Sequence, residues 1–557
     1  MRDFGADVKN SALDHMQRTA ANEIIKKIKN WLSVDPDKAI RRWPFELIQN
    51  AIDAAVKTNR QVRIEIEVNN ELGSKFQVFR HDGGPFLDKE VCGVIYGGST
   101  KREAFAPEAE YIGRFGRGFL VSHVLNRKVQ ISGIGEDKEG MKHKFTIVLD
   151  RTSDDDNEII DGINKCFDSL SRSTSTVEDT YNKWFAEYMY ELKDDRAMEA
   201  ANTGVATLEQ LILFLFSFNE RLTEIRIGDK LFTKAIKDLR PNLSLVSVIL
   251  NGKQLETEFL MRSGTEGSEK LEVGVLFRDG AILTMPHDIP RLFISMPLIG
   301  SEKIPIPFII SSTALVPQEE REILSLAGNE NEVKKNIDIL EEAIALFYEL
   351  VDSCIHKGYK QLVNLCKFQK VPEQYIEDKP QYWGFWQEKI GLCVKMIQTK
   401  MIVETDINPC KPSAVVFPTP KIQLNETPDC LNTEEFECFY DLLKQLGKKL
   451  PVATLAQDWQ RVTRAWKETA IGEEISLHLY SLETLRDEIE NASIKDNHFQ
   501  SLDTVARGFG IEPTQLKRVL VEFFKGKVLK QPPKYERMVA WRIYRNAQDV
   551  KTQRVGL

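Results

Sequence analysis

Three polar residues on one predicted helix have the types and the spacing that phosphate chemistry requires. Glu46, Asn50 and Asp53 stand four and three residues apart, so an α-helix places them on one face while apolar residues line another. The Asn50 amide oxygen suits Mg²⁺, a hard ion that binds few protein oxygens. The Glu46 carboxylate, one turn earlier, can orient or deprotonate a water that attacks a terminal phosphate. An amphipathic helix with a solvated polar face explains the same spacing, so this segment alone leaves both interpretations open.

A further carboxylate follows a predicted β-hairpin. Residues 62–68 alternate between apolar and polar side chains, and the alternation resumes at 76–78 after a turn. Asp82 comes directly after the second strand and can accept a hydrogen bond from the exocyclic amine of adenine. Gly83 and Gly84 allow the backbone to approach a purine closely. Asp-Gly-Gly is also typical of an ordinary turn that ends a strand.

A glycine-rich segment precedes a short predicted helix at 121–125. Gly113, Gly116 and Gly118 stand at three-residue and then two-residue spacing. Their amides can surround phosphate oxygens, helped by the positive end of the helix. No predicted strand leads directly into the segment, and Gly-x-x-x-x-Gly-Lys-Ser/Thr occurs nowhere in the sequence. Both observations disfavour Rossmann and P-loop sites.

Taken in order, these three elements resemble the N box and the two glycine boxes of the ATPase superfamily of gyrase, heat-shock chaperones, histidine kinases and MutL (GHKL). The resemblance implies a slow ATPase that uses ATP and Mg²⁺. It makes Glu46 the base that activates water, Asn50 the Mg²⁺ ligand and Asp82 the adenine reader. The further nucleotide contacts that it implies are Asp53, Gly84, Ser99, Thr100, Lys101, Gly113, Arg114, Phe115, Gly116, Arg117, Gly118 and Phe119. Residues 97–102 fall where the family has its ATP lid.

The chain departs from the family pattern in two places. Pro85 and Phe86 follow Gly84 where many members have a second glycine. The strand that closes the ATP domain usually carries a threonine, and the corresponding position here is Ala186 or Glu187. One nucleotide contact is therefore missing or is supplied from elsewhere.

Two segments are most similar to one branch of the superfamily. The loop at 113–119 is similar to that of the ninety-kilodalton heat-shock chaperone and of sacsin. Residues 290–322 are similar to a pattern of bacterial sacsin-like ATPases, many of which are encoded in anti-phage islands. The resemblance makes Arg321 a second catalytic residue that reaches the γ-phosphate. A surface arginine in a charged helix start remains the alternative.

The elements around these residues predict an α+β protein. Under the resemblance, residues 1–200 form a Bergerat-type two-layer α/β sandwich that binds ATP, with a helical excursion at 151–185. We predict an α/β transducer-like domain at 201–375 and a loop-rich connector at 376–430. A mostly helical region at 431–557 completes the chain and includes a winged-helix-like tail from residue 500.

Composition and charge limit the possible partners. With 557 residues, of which 42% are hydrophobic and 28% charged, the chain is typical of a soluble globular protein. No apolar stretch is long enough to span a membrane and no signal peptide is recognised, so we expect a cytoplasmic protein without membrane contact. Residues 501–557 hold 12 Lys or Arg against 5 Asp or Glu, a charge of +7, which leaves −15 for the rest of the net −8. The eight cysteines include no Cys-x-x-Cys pair, so structural zinc is not expected.

The resemblance implies an ATP-driven conformational switch that forms a homodimer and, in the sacsin-like branch, an anti-phage defence component that acts with a protein effector. Three alternatives stay open: a MutL- or topoisomerase-like DNA clamp, a protein-folding chaperone, and a module that binds ATP with negligible turnover. Nucleic acid could bind through residues 501–557, but a small protein-interaction module is favoured there. A histidine kinase is disfavoured because no helix with a phospho-acceptor histidine precedes the ATP domain.

Overall fold

The computed structural model contains two compact units. It describes residues 4–33, 36–71, 73–97, 118–172, 174–175, 184–266, 269–318, 323–419, 433–469, 477–481, 484, 488, 494–495, 498–499, 506–507 and 512–514. The first unit comprises Met1–Asp279, Met285–Ile304 and Phe308–Phe347, and the second comprises Gly280–Thr284, Pro305–Pro307 and Tyr348–Leu557.

The helices among the described residues are α1 Phe4–Ser33, α2 Pro36–Lys57, α3 Asp88–Tyr96, α4 Asp156–Leu170, α5 Asp195–Phe218, α6 Glu330–Lys357, α7 Glu373–Asp378, α8 Pro380–Ile397, α9 Thr433–Gln445 and α10 Ala453–Thr469. Short 3₁₀ helices lie at Gly118–Val124, Ser301–Lys303, Leu362–Cys366 and Pro412–Ala414.

The strands are β1 Val62–Glu71, β2 Ser74–His81, β3 Phe86–Leu87, β4 Lys128–Glu136, β5 Lys142–Asp150, β6 Thr174–Ser175, β7 Ala186–Glu191, β8 Leu222–Ile227, β9 Lys230–Arg240, β10 Leu243–Leu250, β11 Lys253–Glu266, β12 Glu269–Arg278, β13 Ala281–Ile282, β14 Leu292–Ile294, β15 Met296–Pro297, β16 Ile309–Ser312, β17 Val416–Pro418, β18 His478–Tyr480, β19 Ile494–Lys495 and β20 His498–Phe499.

The first unit is built on one large mixed sheet, which agrees with the predicted mixed α and β composition. Its hydrogen-bonded order is β15-β14-β16-β12-β11-β10-β9-β8-β1-β2-β7-β4-β5-β6, and β3 pairs with β4. The predicted hairpin is confirmed, because β1 and β2 pair antiparallel with Ile66 opposite Phe79. β1 also pairs in parallel with β8, so the strands before and after residue 200 belong to one continuous sheet.

Helix α2 forms because apolar residues recur at helical spacing and are covered by its neighbours. Phe45, Ile48 and Ile52 are buried along one stripe, as the sequence predicts. Trp43 Nε1 donates to the carbonyl oxygen of Ala200 on α5 at 3.0 Å. A Cβ on Gly204 would overlap the Trp43 indole, so α5 lies directly against α2. This contact fixes the orientation of the helix that carries the predicted site.

Helix α5 is the helix among the described residues that is long and apolar enough to cross a membrane, judged by length and composition alone. Of its most apolar window, 61% is buried. A core helix of a soluble protein passes the same test, and the packing of α5 against α2 is what such a helix does. The cytoplasmic location stays a prediction.

The second unit is mostly helical in its described part. Trp459 and Trp466 of α10 are fully buried, and Trp466 Nε1 donates to the carbonyl oxygen of Cys366 at 2.9 Å. Residues 380–397, predicted to lie in a loop-rich connector, instead form α8. The reason is apolar periodicity: Trp383, Trp386, Ile390, Val394 and Ile397 recur at helical spacing and are buried. The predicted domain limits at 200 and 375 fall inside α5 and α7 and stay predictions.

Candidate functional site

The polar face of α2 is turned into the protein. Glu46 is 7% exposed and Asp53 is 4% exposed, while Asn50 between them is partly exposed. A surface amphipathic helix would leave such carboxylates in water, because an ionised group is costly to bury without partners. The burial therefore argues against the interpretation of this face as a solvated one.

Glu46 lies between an arginine and a glycine. Its Oε1 accepts from Arg42 Nη2 at 3.0 Å, and both side chains are nearly buried. Its Oε2 occupies the space where a Cβ on residue 118 would lie, so only glycine fits at that position without displacing the carboxylate. The first and the third sequence elements thus meet at Glu46 and Gly118.

The 3₁₀ helix that begins at Gly118 is held in place by three side chains. Phe119 is buried and its ring centroid lies 5.7 Å from that of Tyr188. Tyr190 Oη donates to Ser122 Oγ at 2.7 Å. His123 Nε2 lies 3.3 Å from Arg151 Nη1. Because the Phe119 side chain is part of the core, a contact between residue 119 and a nucleotide would have to use its backbone.

Arg151 joins the two segments that flank residues 98–117. It is buried, and its Nη2 donates to the carbonyl oxygens of Val94 at 2.7 Å and Ile95 at 3.1 Å, in the last turn of α3. Burial lowers its pKa to about 10. Burial, with the charge of Arg151, also holds the pKa of His123 well below its usual value, so this imidazole is neutral. Sequence reasoning missed Arg151, because nothing in its local pattern indicates burial.

Asp82 is engaged by the neighbouring strand. Its Oδ1 accepts from the Arg63 backbone N–H, and its Oδ2 accepts from Arg63 Nε, both at 2.6 Å. The register that sets Ile64 opposite His81 brings Arg63 beside Asp82. Arg63 is about half exposed, so it can leave, and an adenine amine would have to replace its guanidinium to reach this carboxylate.

Gly83 and Gly84 bring the turn after β2 against α2. A Cβ on Gly83 would overlap the Ala51 carbonyl oxygen, and one on Gly84 would lie 2.5 Å from Thr58 Cγ2. Thr58 Oγ1 donates to the Gly83 carbonyl oxygen at 2.7 Å. The absence of side chains at these two glycines therefore allows the end of β2 to lie close to α2. The sequence analysis related the same glycines to the approach of a purine and did not predict this contact.

His81 is a buried titratable group next to Asp82 that the sequence argument did not single out. Its Nδ1 accepts from the Gly83 N–H at 3.3 Å, and its ring stacks on Tyr188. Burial, with a smaller effect of the Lys57 charge, lowers its pKa to about 3. His81 is therefore neutral at physiological pH. It stabilises the turn by accepting the hydrogen bond from Gly83 and does not contribute a charge to the site.

Residues from the segment 294–298, far from α2 in sequence, also lie beside Glu46. A cavity of about 20 Å³ is lined by Arg42, Phe45, Glu46, Ile294, Met296, Pro297 and Leu298. Arg41, one residue before Arg42, pairs with Glu302 at 3.0 Å. The segment 294–298 thus lies close to the proposed base. It belongs to the stretch at 290–322 that carried the second sequence resemblance.

Several predicted site residues lie outside the described part of the chain. They are Ser99, Thr100, Lys101, Gly113, Arg114, Phe115, Gly116, Arg117 and Arg321. Among the described residues, no group of three or more His, Cys, Asp or Glu side chains is arranged to hold a metal ion. A Mg²⁺ held by Asn50 and phosphate oxygens needs no such group, so this assignment stays a prediction.

Comparisons with known proteins give weak similarities. No family model matches the chain. No curated protein matches it either. Two solved structures that match are the ATPase region of Saccharomyces cerevisiae topoisomerase II, 9% identical, and the ATPase and transducer domains of DNA topoisomerase II from Balamuthia mandrillaris, 10% identical. Each has a TM-score of 0.28 and covers 56% of this chain and 85% of its own. A TM-score this low carries no argument, so the case for a function rests on the residues.

Proposed function

We propose that the chain is an ATP-binding conformational switch of the GHKL type that hydrolyses ATP with Glu46 as the base. The observation that supports this most is the contact between the Glu46 carboxylate and Gly118. The motif resemblance makes one of these residues the base and the other the end of the phosphate loop. Such a site requires the two to adjoin, whereas unrelated motifs have no reason to meet.

We assign the roles of the residues as the motif resemblance implies, and their positions support this assignment. Asn50, one turn after Glu46 on α2, would hold Mg²⁺, which would supply positive charge next to the phosphates. Backbone amides near Gly118 bind the phosphates, as amides at a helix start do. Glu46 takes a proton from the attacking water, and its burial strengthens electrostatic interactions within the site. ATP supplies the phosphoanhydride bond that is broken.

Adenine recognition by Asp82 requires an exchange of partners. The purine amine takes the place of the Arg63 guanidinium, which is exposed enough to move into solvent. Nucleotide binding therefore carries a cost that a carboxylate without a partner would not impose. The proposal includes this rearrangement at the end of β1.

The biological role belongs to the same proposal and is supported by sequence alone. The loop at 113–119 and the stretch at 290–322 favour the sacsin and heat-shock-chaperone branch. Members of that type act as switches, so the chain forms an ATP-dependent homodimer and acts with a protein effector, as an anti-phage defence component. Arg321 would complete the γ-phosphate contacts.

ATP binding and turnover by two variants test the proposal. Glu46→Gln keeps the size of the side chain but removes the base, so we expect unchanged ATP affinity and a loss of turnover of about 100-fold or more. Asp82→Asn should weaken ATP binding itself. Isothermal calorimetry measures affinity, and release of phosphate measures turnover.

Matched controls are Glu209→Gln on the outer part of α5 and Asp229→Asn in the turn after β8. Neither residue is assigned a part in the site, so both variants should behave as the parent. Undiminished turnover by Glu46→Gln, or parental ATP affinity of Asp82→Asn, would contradict the assignments.

A further inference from the structure

We propose that Arg42 is a positioning residue for Glu46: it keeps the carboxylate ionised, fixes its orientation and shares with it a chamber for one water molecule. This inference rests on the proposed function and adds a residue that the sequence resemblance does not assign. It starts from the burial of both partners, whose side chains are 7% and 9% exposed.

A buried ion pair of this kind is not kept for stability alone. Removing two charges from water costs several kcal/mol, which their attraction repays only when the geometry is good, so apolar side chains of similar size often stabilise a protein equally well. We therefore expect Arg42 to act on the ionisation and orientation of the Glu46 carboxylate. A neighbouring positive charge favours the ionised form of a carboxylate.

The pair also fixes how the carboxylate is turned. Oε1 accepts from Arg42 Nη2 at 3.0 Å, and Oε2 lies against Gly118. Because Oε1 accepts this hydrogen bond, the carboxylate cannot rotate without losing the arginine. The oxygen next to Gly118 thus stays directed at the element that carries the phosphate-binding amides.

The cavity beside the pair has room for one water molecule. Its volume is about 20 Å³, and a water molecule needs about 10–15 Å³. Arg42 and Glu46 supply a donor and an acceptor, and the rest of the lining is apolar: Phe45, Ile294, Met296, Pro297 and Leu298. A water there would bridge guanidinium and carboxylate, next to the apolar lining residues of the segment 294–298.

Apart from Arg42 and Glu46 themselves, the residues that line the cavity carry no charge. The segment 294–298 contributes Ile294, Met296, Pro297 and Leu298 to that lining. The 3₁₀ helix at Gly118–Val124 contains His123, and burial holds the pKa of this imidazole well below its usual value. Asp53 lies further along α2 and is buried on the same helix.

The dependence of turnover on pH tests the proposal. Without the guanidinium, Glu46 takes up a proton more readily, so the acid limb of kcat for Arg42→Met should move to higher pH by about one unit or more. Arg42→Lys keeps the charge, so the acid limb of its kcat should lie within a few tenths of a pH unit of the parent's. In Arg42→Met, KM for ATP should change less than kcat. The matched control is Arg41→Met, which removes the neighbouring arginine and its pair with Glu302. The acid limb of kcat for Arg41→Met should lie at the same pH as that of the parent.

A parental acid limb in Arg42→Met would overturn the proposal. An equal shift in Arg41→Met would do the same, because the effect would then not be specific to the residue that touches Glu46. A parent without any turnover would instead contradict the proposed function, and the question of Arg42 then passes to a measurement that needs no ATP.

That second measurement compares the melting temperatures of Arg42→Met and of Arg42→Met with Glu46→Gln between pH 5.5 and 8.5. In the single variant the folded protein holds a proton on Glu46 that the unfolded chain has lost, so its stability falls as pH rises. The double variant lacks this group. We expect the single variant to lose at least about 2 °C relative to the double variant over this range. A difference that does not change with pH would show that Arg42 does not set the ionisation of Glu46.

Discussion

His81 illustrates how one buried side chain next to the candidate site makes stability depend on pH. Its pKa is lowered to about 3 by burial and by Lys57. Because the folded value lies below the unfolded value of about 6.5, the unfolded chain binds a proton that the folded protein does not. The contribution is therefore fully present above about pH 6.5 and is lost as the pH falls towards 3. His123 acts in the same direction.

His81→Phe should remove part of this acid sensitivity. Phenylalanine keeps the ring against Tyr188 but cannot take up a proton, although it also loses the hydrogen bond from Gly83. Between pH 7.5 and 5.5 the parent should lose about 1.4 kcal/mol more stability than the variant. Urea unfolding at both values measures the difference. The exposed His287, replaced by Phe, is the control and should leave the pH dependence unchanged. An equal acid loss in parent and His81→Phe would contradict the assignment.

At this scale the sequence predicts residue types better than it predicts their partners. The spacing of Glu46 and Asn50 predicts a shared helix face, which α2 confirms. Arg42 is equally visible at one turn from Glu46, but it is buried, and its neighbours include the segment 294–298, far away in sequence. Likewise, Arg63 meets Asp82 only through the register of β1 and β2. Periodicity cannot indicate either contact.

At the scale of the elements, the glycine turn that follows β2 lies directly against helix α2. Gly83 brings its Cα against the Ala51 carbonyl, and Thr58 Oγ1 fixes the Gly83 carbonyl at 2.7 Å. The backbone of α2 cannot yield locally, since a shift of Ala51 would also displace Asn50 beside it and Glu46 on the preceding turn. The position of Asp82 relative to the helix is therefore set by backbone contact.

Gly83→Ala should disturb both stability and the site. The added Cβ would overlap a helix carbonyl, so we expect a loss of about 1–3 kcal/mol and weaker ATP binding. Gly135→Ala in β4 is the control: its Cβ would find its nearest neighbour, Phe145 Cδ1, at an ordinary 3.6 Å. Thermal unfolding and calorimetry with ATP measure the two effects. A Gly83→Ala protein as stable as Gly135→Ala would mean that the turn and α2 are not in contact as described.

In the first unit, one sheet contains strands from both sides of the boundary predicted near residue 200, and this boundary stays a prediction. The predicted order of helices and strands is close to what the structure has, because periodicity reports local elements. Pairing between distant strands is not local, and β1 with β8 is such a pair: Ile64 lies opposite Ile225. Residue 200 itself lies within α5, which runs from Asp195 to Phe218.

Truncation should reveal this continuity. A fragment of residues 1–200 ends within α5 and lacks β8, so β1 loses its parallel neighbour and presents an open, apolar edge. It also lacks Gly204, against which Trp43 packs on α2, so the helix that carries Glu46 loses its support. A fragment of residues 1–357, which ends with α6, keeps every strand of the sheet order from β15 to β6.

We expect cooperative thermal unfolding and ATP binding for the fragment 1–357. For the fragment 1–200 we expect a broad unfolding transition, aggregation and an ATP affinity reduced at least about 10-fold. Near-ultraviolet circular dichroism and calorimetry measure both. If 1–200 unfolds as sharply as 1–357 and binds ATP equally well, the ATP site is supported by residues 1–200 alone, and the contacts of α5 and β8 with α2 and β1 contribute nothing to it.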